Sequence, residues 1–237
     1  MKKILILSGG FGSRLKPLVS EVPKPLAPVN GKPFLLYLIE NLVKQGAKEF
    51  IFLLYYEANK IKEHLQNMEK YFQMRDVKLR FLTEKEPLGT GGALLYAIQE
   101  LGIDDSFYVT NADTWLGSGL SFIVDSEPGS LIAIEKPDTK RYGLLDIDNG
   151  IIKSFIEKRE NSDGGWINAG FYHFTPNHIL ENSSTKVFSL EEQVLPSLAN
   201  KNELKAIKAD TNFIDIGIPK DYERFCDWIK KGKNFEL

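Results

Sequence analysis

A glycine-rich loop that directly follows an apolar run constrains the fold of this 237-residue chain more than any other feature. The aliphatic run over residues 3–7 predicts a strand buried on both faces, and Ser8, Gly9, Gly10 and Gly12 come next. Glycine lacks a Cβ atom, so the backbone N–H groups of such a loop approach phosphate oxygens closely. Because ligands of open α/β sheets bind beyond the carboxyl ends of the strands, this loop predicts a phosphate-binding site.

The loop fits neither of two common phosphate-binding patterns. A P-loop requires Gly-x-x-x-x-Gly-Lys-Ser/Thr, and the spacing before Arg14 is different. The dinucleotide fingerprint requires a third glycine where Leu15 stands. Shortly afterwards, Pro23 and Pro25 flank Lys24. We expect these prolines to stiffen the backbone, to exclude helix and to present the lysine rigidly to a triphosphate.

Strands and helices alternate through the first half of the chain, which predicts an α/β fold with a mostly parallel sheet flanked by helices. After residue 128 the pattern becomes β-rich, with a hairpin turn at Asp148, Asn149 and Gly150. We predict a single domain over residues 1–237, divided near residue 128 into a nucleotide-binding half and a sugar-binding half. The predicted strands are 3–7, 49–55, 77–82, 107–110, 131–135, 142–147, 151–156, 167–174 and 213–216. The predicted helices are 34–45, 59–71, 92–101, one beginning at Ser189 with a capping box to Glu192, and one beginning at Pro219.

Composition narrows the choice of partners and compartment. The formal net charge is −2, from 30 basic and 32 acidic side chains, so we expect no general binding of nucleic acid. Cys226 is the only cysteine, which excludes an intramolecular disulfide and suits a reducing cytoplasm. No apolar run approaches the ~18 residues that span a bilayer, so we expect no membrane partner. Monomer and homo-oligomer both remain open.

Motifs along the whole chain resemble those of the sugar-1-phosphate nucleotidyltransferases. Gly-Gly-x-Gly-x-Arg-Leu occupies residues 9–15, Pro-Lys-Pro-Leu residues 23–26 and Gly-Lys-Pro residues 31–33. Residues 84–93, 111–113, 157–158, 168–170 and 215–219 match further family segments. The chain is most similar to the short bacterial guanylyltransferases that act on heptose 1-phosphate or mannose 1-phosphate. The resemblance implies a Rossmann-like, GT-A-like fold and an enzyme of nucleotide-sugar and polysaccharide biosynthesis, which joins a sugar 1-phosphate to an NTP and releases pyrophosphate.

The resemblance also implies a role for individual residues. Arg14 and Lys24 neutralise the leaving pyrophosphate, and Asp113 and Asp215 hold Mg²⁺. Turn or cap roles remain the alternative for both aspartates, and Ala112 replaces a glycine that relatives usually carry there. The implied nucleotide contacts are Ser8, Gly9, Gly10, Gly12, Glu84, Pro87, Gly89 and Thr90. The implied sugar-phosphate contacts are Gly143, Glu157, Lys158 and Asn168. Because the attacking phosphate is already anionic, no general base is expected, and His64, His173 and His178 are assigned surface or packing roles.

Glu84 bears on which base is bound. Relatives that use uracil or thymine often carry glutamine there, whose amide both donates and accepts, whereas a carboxylate only accepts. The N1–H and N2–H₂ groups of guanine are two adjacent donors, so the glutamate favours GTP. Alternatives remain: a solvated loop acid, a UTP- or CTP-using enzyme acting on a sugar 1-phosphate or on phosphocholine, and a non-catalytic regulator that binds nucleotide sugars.

Overall fold

The structure is a computed structural model that describes residues 2–11, 14–15, 18–19, 21–139, 142–156, 164–183 and 185–232. The chain folds into two compact units. The first comprises Met1–Pro87, Thr110–Ser118 and Asn212–Leu237, and the second comprises Leu88–Val109 and Gly119–Thr211. Each unit consists of several separate segments of the sequence, and none of the boundaries between the units falls at residue 128. The division into two functional halves stays a prediction.

The described residues form thirteen strands, eight α-helices, one 3₁₀ turn and one π-helical turn. The strands are β1 (Lys3–Ser8), β2 (Pro28–Val29), β3 (Lys32–Pro33), β4 (Glu49–Leu54), β5 (Lys78–Thr83), β6 (Phe107–Asn111), β7 (Thr114–Leu116), β8 (Ser130–Lys136), β9 (Leu144–Asp148), β10 (Ile151–Ile156), β11 (Gly165–Phe174), β12 (Lys205–Lys208) and β13 (Phe213–Asp215). The α-helices are α1 (Phe34–Lys44), α2 (Ala58–Gln66), α3 (Glu69–Gln73), α4 (Gly89–Leu101), α5 (Gly119–Ile123), α6 (Pro176–Leu180), α7 (Leu195–Asn200) and α8 (Pro219–Lys230). Lys24–Leu26 forms a 3₁₀ turn and Leu190–Val194 a π-helical turn.

The first unit contains parallel strands and a small antiparallel ribbon. β1 pairs in parallel with β4, and β4 with β5. All of Ile4–Leu7 is buried, as the unbroken apolar run predicts for a strand covered on both faces. β7 and β13 pair antiparallel and bring segments from distant parts of the chain side by side. A core cluster packs around them, in which the ring of Phe225 contacts the rings of both Phe34 and Trp115.

The second unit contains a largely antiparallel sheet in the order β6, β11, β8, β12, β10, β9. β8 pairs antiparallel with β11 but parallel with β12, and β10 pairs antiparallel with both β9 and β12. The β9–β10 hairpin turns through Asn149 at φ 49° and Gly150 at φ 80°. These left-handed conformations are what a two-residue turn of this kind needs. The α/β class with a mixed sheet is confirmed, while the mostly parallel pairing holds only in the first unit.

Three local predictions differ from the structure. Lys24 lies in a 3₁₀ turn, with Leu26 N–H donating to Pro23 (2.8 Å) and Ala27 N–H to Lys24 (3.0 Å). Proline does not prevent this, because a one-turn helix requires no donor from its first residues. The helix expected over 59–71 is two helices, α2 and α3, separated at Asn67 and Met68. Asparagine side chains compete for backbone hydrogen bonds and favour helix ends.

The third difference concerns the capping box expected at Ser189. The Ser189 hydroxyl accepts from Glu192 N–H (3.2 Å), as predicted, but it donates to the carboxylate of Glu191 (3.0 Å). The segment that follows begins as the π-helical turn and continues as α7. The other predicted strands lie within two residues of their observed bounds, and α4 begins three residues earlier than expected.

Candidate active site

The turn after β6 lies beside the end of β1. Ala112 N–H donates to the carbonyl of Leu7 (2.9 Å), which fixes Asp113 next to the glycine loop. Asp113 is followed by β7, where Thr114 is the register partner of Asp215 on β13. The N–H of Ile216 in turn donates to the Asp113 carbonyl (3.0 Å). Both aspartates therefore lie at strand ends, as predicted, and the β7–β13 ribbon makes them neighbours.

Both carboxylates converge on one cation, the ammonium of Lys24. Lys24 Nζ donates a hydrogen bond to Asp113 Oδ2 and lies 3.9 Å from Asp215 Oδ1. The lysine side chain is only 10% exposed, so this arrangement is largely shielded from solvent. The 3₁₀ turn, held by Pro23 and Pro25, sets the direction of the lysine. The alternative that the aspartates serve only as turn residues does not account for this convergence.

Asp215 is also oriented by its own backbone. Gly217 N–H donates to Asp215 Oδ1 (2.7 Å). A Cβ atom at Gly217 would lie 2.7 Å from the same oxygen, closer than such contacts allow. Glycine is therefore required at this position to keep the carboxylate in place.

A cavity of about 200 Å³ opens next to this cluster. It is lined by Leu7, Ser8, Gly10, Arg14, Lys24, Pro25, Ala112, Asp113 and Gly217. Arg14 and Lys24 thus border one space, together with glycine-loop backbone and one carboxylate. Within the described part of the chain, the buried Ser8 hydroxyl has no hydrogen-bond partner, which leaves it available to a ligand. Such a cavity suits a polyanion, because two cationic side chains line it together with residues of the glycine loop.

Glu84 directly follows β5 and lies beside Gly9 of the glycine loop. Its side chain is 7% exposed, so it is not a solvated loop acid, and its N–H donates to Leu54 (2.8 Å). A Cβ atom at Gly9 would lie 3.6 Å from Glu84 Oε1 and 3.5 Å from Tyr55 Cβ. The glutamate therefore faces the glycine loop. Phe11 packs against Tyr55 and Tyr56 with ring centroids 6.0 and 5.2 Å apart, an aromatic cluster that the sequence reading missed.

Residues 3–231 match the Nucleotidyl transferase family. The chain belongs to this family. It is 36% identical to the D-glycero-alpha-D-manno-heptose 1-phosphate guanylyltransferase of Campylobacter jejuni, over 93% of this chain and 97% of that protein. It is 35% identical to the mannose-1-phosphate guanylyltransferase catalytic subunit beta of Drosophila melanogaster, over 93% of this chain but 60% of that longer protein.

Solved structures agree with this membership. HddC from Yersinia pseudotuberculosis, complexed with GMP-PN, superposes with a TM-score of 0.81 at 34% identity, covering 97% of this chain and all of that one. The inositol-1-phosphate CTP transferase of T. maritima superposes with a TM-score of 0.79 at 17% identity, over 99% of this chain and 97% of that one, which is a likeness of fold alone.

In this nucleotidyltransferase, the start of α4 packs against the segment that leads into the π-helical turn. Gly89 has φ +74°, and a Cβ there would lie 2.5 Å from the Phe188 carbonyl oxygen. The N–H groups of Gly91 and Gly92 both donate to that oxygen, at 3.0 and 3.2 Å. A Cβ at Gly91 would lie 2.3 Å from the Phe188 ring and one at Gly92 2.3 Å from the Lys186 carbonyl oxygen, so this close packing requires glycine at all three positions. The predicted contacts of Gly89 and Pro87 with nucleotide stay predictions.

Thr90 completes the same connection. Its hydroxyl donates to Glu191 Oε2 (2.6 Å) and accepts from Leu190 N–H (2.8 Å). Both bonds stabilise the packing of α4 against the π-helical turn, a role that sequence reasoning did not assign to Glu191. A nucleotide contact by Thr90 stays a prediction.

Asn168 and Gly143 lie near each other in the second unit's sheet. Asn168 Nδ2 donates to Tyr172 Oη (2.9 Å), and Asn168 Oδ1 accepts from Gly170 N–H (2.9 Å). Gly143 precedes β9, whose Leu144 pairs with Ile167, the residue before Asn168. The Asn168 amide is thus held rigidly by its own strand. Glu157, Lys158 and Gly12 lie outside the described residues.

His173 and His178 of the second unit pack against aromatic rings, as predicted, and His178 also caps a helix, which was not predicted. His178 Nδ1 accepts from Thr175 N–H (2.9 Å) at the start of α6, and burial lowers the pKa of His178. The His173 ring stacks on Tyr108 with centroids 4.6 Å apart, and burial lowers the pKa of His173 as well. Cys226 packs at the edge of the first unit's core, and burial raises the pKa of its thiol.

In the part of the chain that the structure describes, no group of three or more His, Cys, Asp or Glu side chains is arranged to hold a metal ion. Among the helices that the structure describes, none is long and apolar enough to cross a membrane.

Proposed function

We propose that this chain transfers the guanylyl group of GTP to a hexose or heptose 1-phosphate, giving a GDP-sugar and pyrophosphate. The observation that carries the proposal is the cavity bordered by the glycine loop, Arg14, Lys24 and Asp113. The choice of GTP and of sugar 1-phosphate is supported by the guanylyltransferases to which the chain is similar over nearly its full length. The burial of Glu84 beside Gly9 is consistent with a carboxylate that accepts from guanine.

Mg²⁺ is the cofactor we propose, held by Asp113 and Asp215. The two carboxylates already face one positive charge, that of Lys24, so the donor set fits a small cation. Mg²⁺ prefers oxygen ligands and commonly takes one or two carboxylates together with phosphate oxygens and water. When bound, it supplies positive charge shared by the nucleotide phosphates and the attacking phosphate.

The protein residues position the reactants and neutralise their charge. The N–H groups of the glycine loop and the Ser8 hydroxyl bind the triphosphate, and Arg14 stabilises the charge that builds up on the departing pyrophosphate. Removing one such contact from a shielded site typically costs a hundredfold or more in rate. Glu84 accepts from the base, and Gly143, Glu157, Lys158 and Asn168 contact the sugar phosphate. The sugar phosphate oxygen attacks the α-phosphorus in line, and since it is already anionic no side chain has to remove a proton.

A substrate screen tests the proposal. The protein is incubated with Mg²⁺, one of GTP, UTP, CTP or ATP, and one of mannose 1-phosphate, a heptose 1-phosphate, glucose 1-phosphate or phosphocholine, and released pyrophosphate is measured. We expect release with GTP and a manno-configured sugar phosphate, well above every other pair. Faster release with UTP or CTP would contradict the guanine assignment, and no release with any pair would support the non-catalytic alternative.

A further inference from the structure

Lys24 lies beside both aspartates, so a metal ion that binds the two carboxylates has to displace the lysine ammonium. Lys24 Nζ donates to Asp113 Oδ2 and lies 3.9 Å from Asp215 Oδ1. Two carboxylates held side by side repel each other unless a cation lies between them. The ammonium of Lys24 supplies that charge.

The same lysine borders the cavity that receives the polyanion. The side chain is 10% exposed, and Ser8, Gly10 and Arg14 line the space next to it. Because the lysine side chain is flexible, its ammonium can lie either beside the two carboxylates or in the cavity. An ion bound between Asp113 and Asp215 would therefore drive Lys24 towards the cavity.

We infer that Lys24 takes the place of the metal ion when none is bound, with its ammonium next to Asp113 and Asp215. Metal binding then moves this ammonium to the phosphates. This inference rests on the proposed metal role of the two aspartates. It makes metal and triphosphate binding mutually reinforcing, since each ligand favours the same position of Lys24. Lys24 also suppresses metal binding when no nucleotide is present.

Binding of Mn²⁺ to the nucleotide-free protein tests the inference, with free Mn²⁺ measured by electron paramagnetic resonance. We expect Lys24→Gln to bind Mn²⁺ about tenfold more tightly than the wild type, within the usual range of coupling between sites. Lys24→Arg keeps a positive charge and should retain the weak binding of the wild type. Lys48→Gln is the matched control, because Lys48 forms an exposed pair with Asp76 (3.8 Å) away from the cavity. Equal or weaker binding by Lys24→Gln, or no binding by any variant, would overturn the inference.

A second measurement uses only the wild-type protein and so does not depend on how the variants fold. Amine acylation of Lys24 is followed by mass spectrometry with and without saturating Mg²⁺. Labelling of Lys24 should increase several-fold with Mg²⁺ while labelling of Lys48 stays constant. Unchanged or reduced labelling of Lys24 contradicts the inference. Neither measurement involves GTP or a sugar phosphate, so a failed substrate screen with successful cation exchange would reject the proposed reaction alone.

Discussion

At the scale of single residues, the site depends on a few side chains that their own turns hold in place. Asp215 is fixed by the N–H of Gly217, and Asp113 follows a turn that Ala112 ties to Leu7. The methyl of Ala112, where relatives usually carry glycine, fits here without loss of that hydrogen bond. Arg14, Lys24, Asp113 and Asp215 were all predicted from sequence because their motif spacing is distinctive, and their roles stay predictions. The contacts of Lys24 with the two aspartates were not predicted, because the motif assigned Lys24 to the phosphates and not to the carboxylates.

Asp113→Asn tests the metal carboxylate. The amide keeps the shape but removes the negative charge, so kcat of GDP-sugar formation should fall about a hundredfold or more. Pyrophosphate release under saturating Mg²⁺ measures this. Asp104→Asn, an exposed loop position, is the matched control and should retain wild-type rates. Activity of Asp113→Asn equal to that of the control would remove Asp113 from the metal site.

Glu84→Gln tests how the base is chosen. A glutamine amide still offers one acceptor but places a donor against the guanine N–H groups, so kcat/KM with GTP should fall by roughly ten- to a hundredfold, about 1–3 kcal/mol. The ratio of UTP to GTP use should rise. Glu86→Gln, an exposed carboxylate in the same loop, serves as the control. A uniform loss with every NTP would show that Glu84 supports the loop and does not select the base.

At the scale of elements, long apolar runs were predicted well, whereas of the two short paired strands β7 and β13 only β13 was predicted. Every strand of four or more apolar-rich residues in the first unit was found, because burial on both faces leaves an unbroken run. β7 and β13 have three residues each, and their pairing joins positions about a hundred residues apart, which no local pattern reports. The 3₁₀ turn at Lys24 was missed because prolines were taken to exclude all helix. The close packing at Gly89 and Gly91 was missed because it depends on Phe188, a residue far along the chain.

Thr90→Val tests the connection between α4 and the π-helical turn. The valine is close in size but leaves Leu190 N–H without its acceptor and removes one of the two hydroxyl donors to Glu191, so the free energy of unfolding should fall by about 1–3 kcal/mol. Chemical denaturation of Thr90→Val, Glu191→Gln and the double variant gives the coupling between the two side chains. Thr83→Val, exposed on β5, is the control and should change stability little. Strictly additive effects would mean that the Thr90–Glu191 bond contributes nothing.

At the scale of the whole molecule, buried histidines make the stability of the chain depend on pH. Burial lowers the pKa of His178 and of His173 below the ordinary value of 6.5. As pH falls through 6.5 towards the folded-state values, the unfolded chain binds more protons than the folded one, so stability decreases. Above that window both states are neutral and no further change is expected from these groups.

His178→Gln should remove part of this pH dependence. The glutamine side-chain oxygen still accepts from the Thr175 N–H, as at the third position of a capping box, but it does not titrate. We expect the loss of Tm between pH 7.5 and pH 5.5 to be smaller in this variant than in the wild type. Gln66→Ala, at an exposed position that does not titrate, is the control and should leave the slope unchanged. An identical slope in His178→Gln and the wild type would assign the dependence to other groups.

The β7–β13 ribbon has a consequence for how the protein is made. Asp215 leaves the ribosome about a hundred residues after Asp113, and at ordinary elongation rates of about 5–20 residues per second that delay lasts roughly 5–20 s. During this interval the nascent chain carries Lys24 and only one of the two carboxylates that the ribbon later brings together. The pairing that places both aspartates beside Lys24 therefore forms only after the segment that carries β13 has been synthesised.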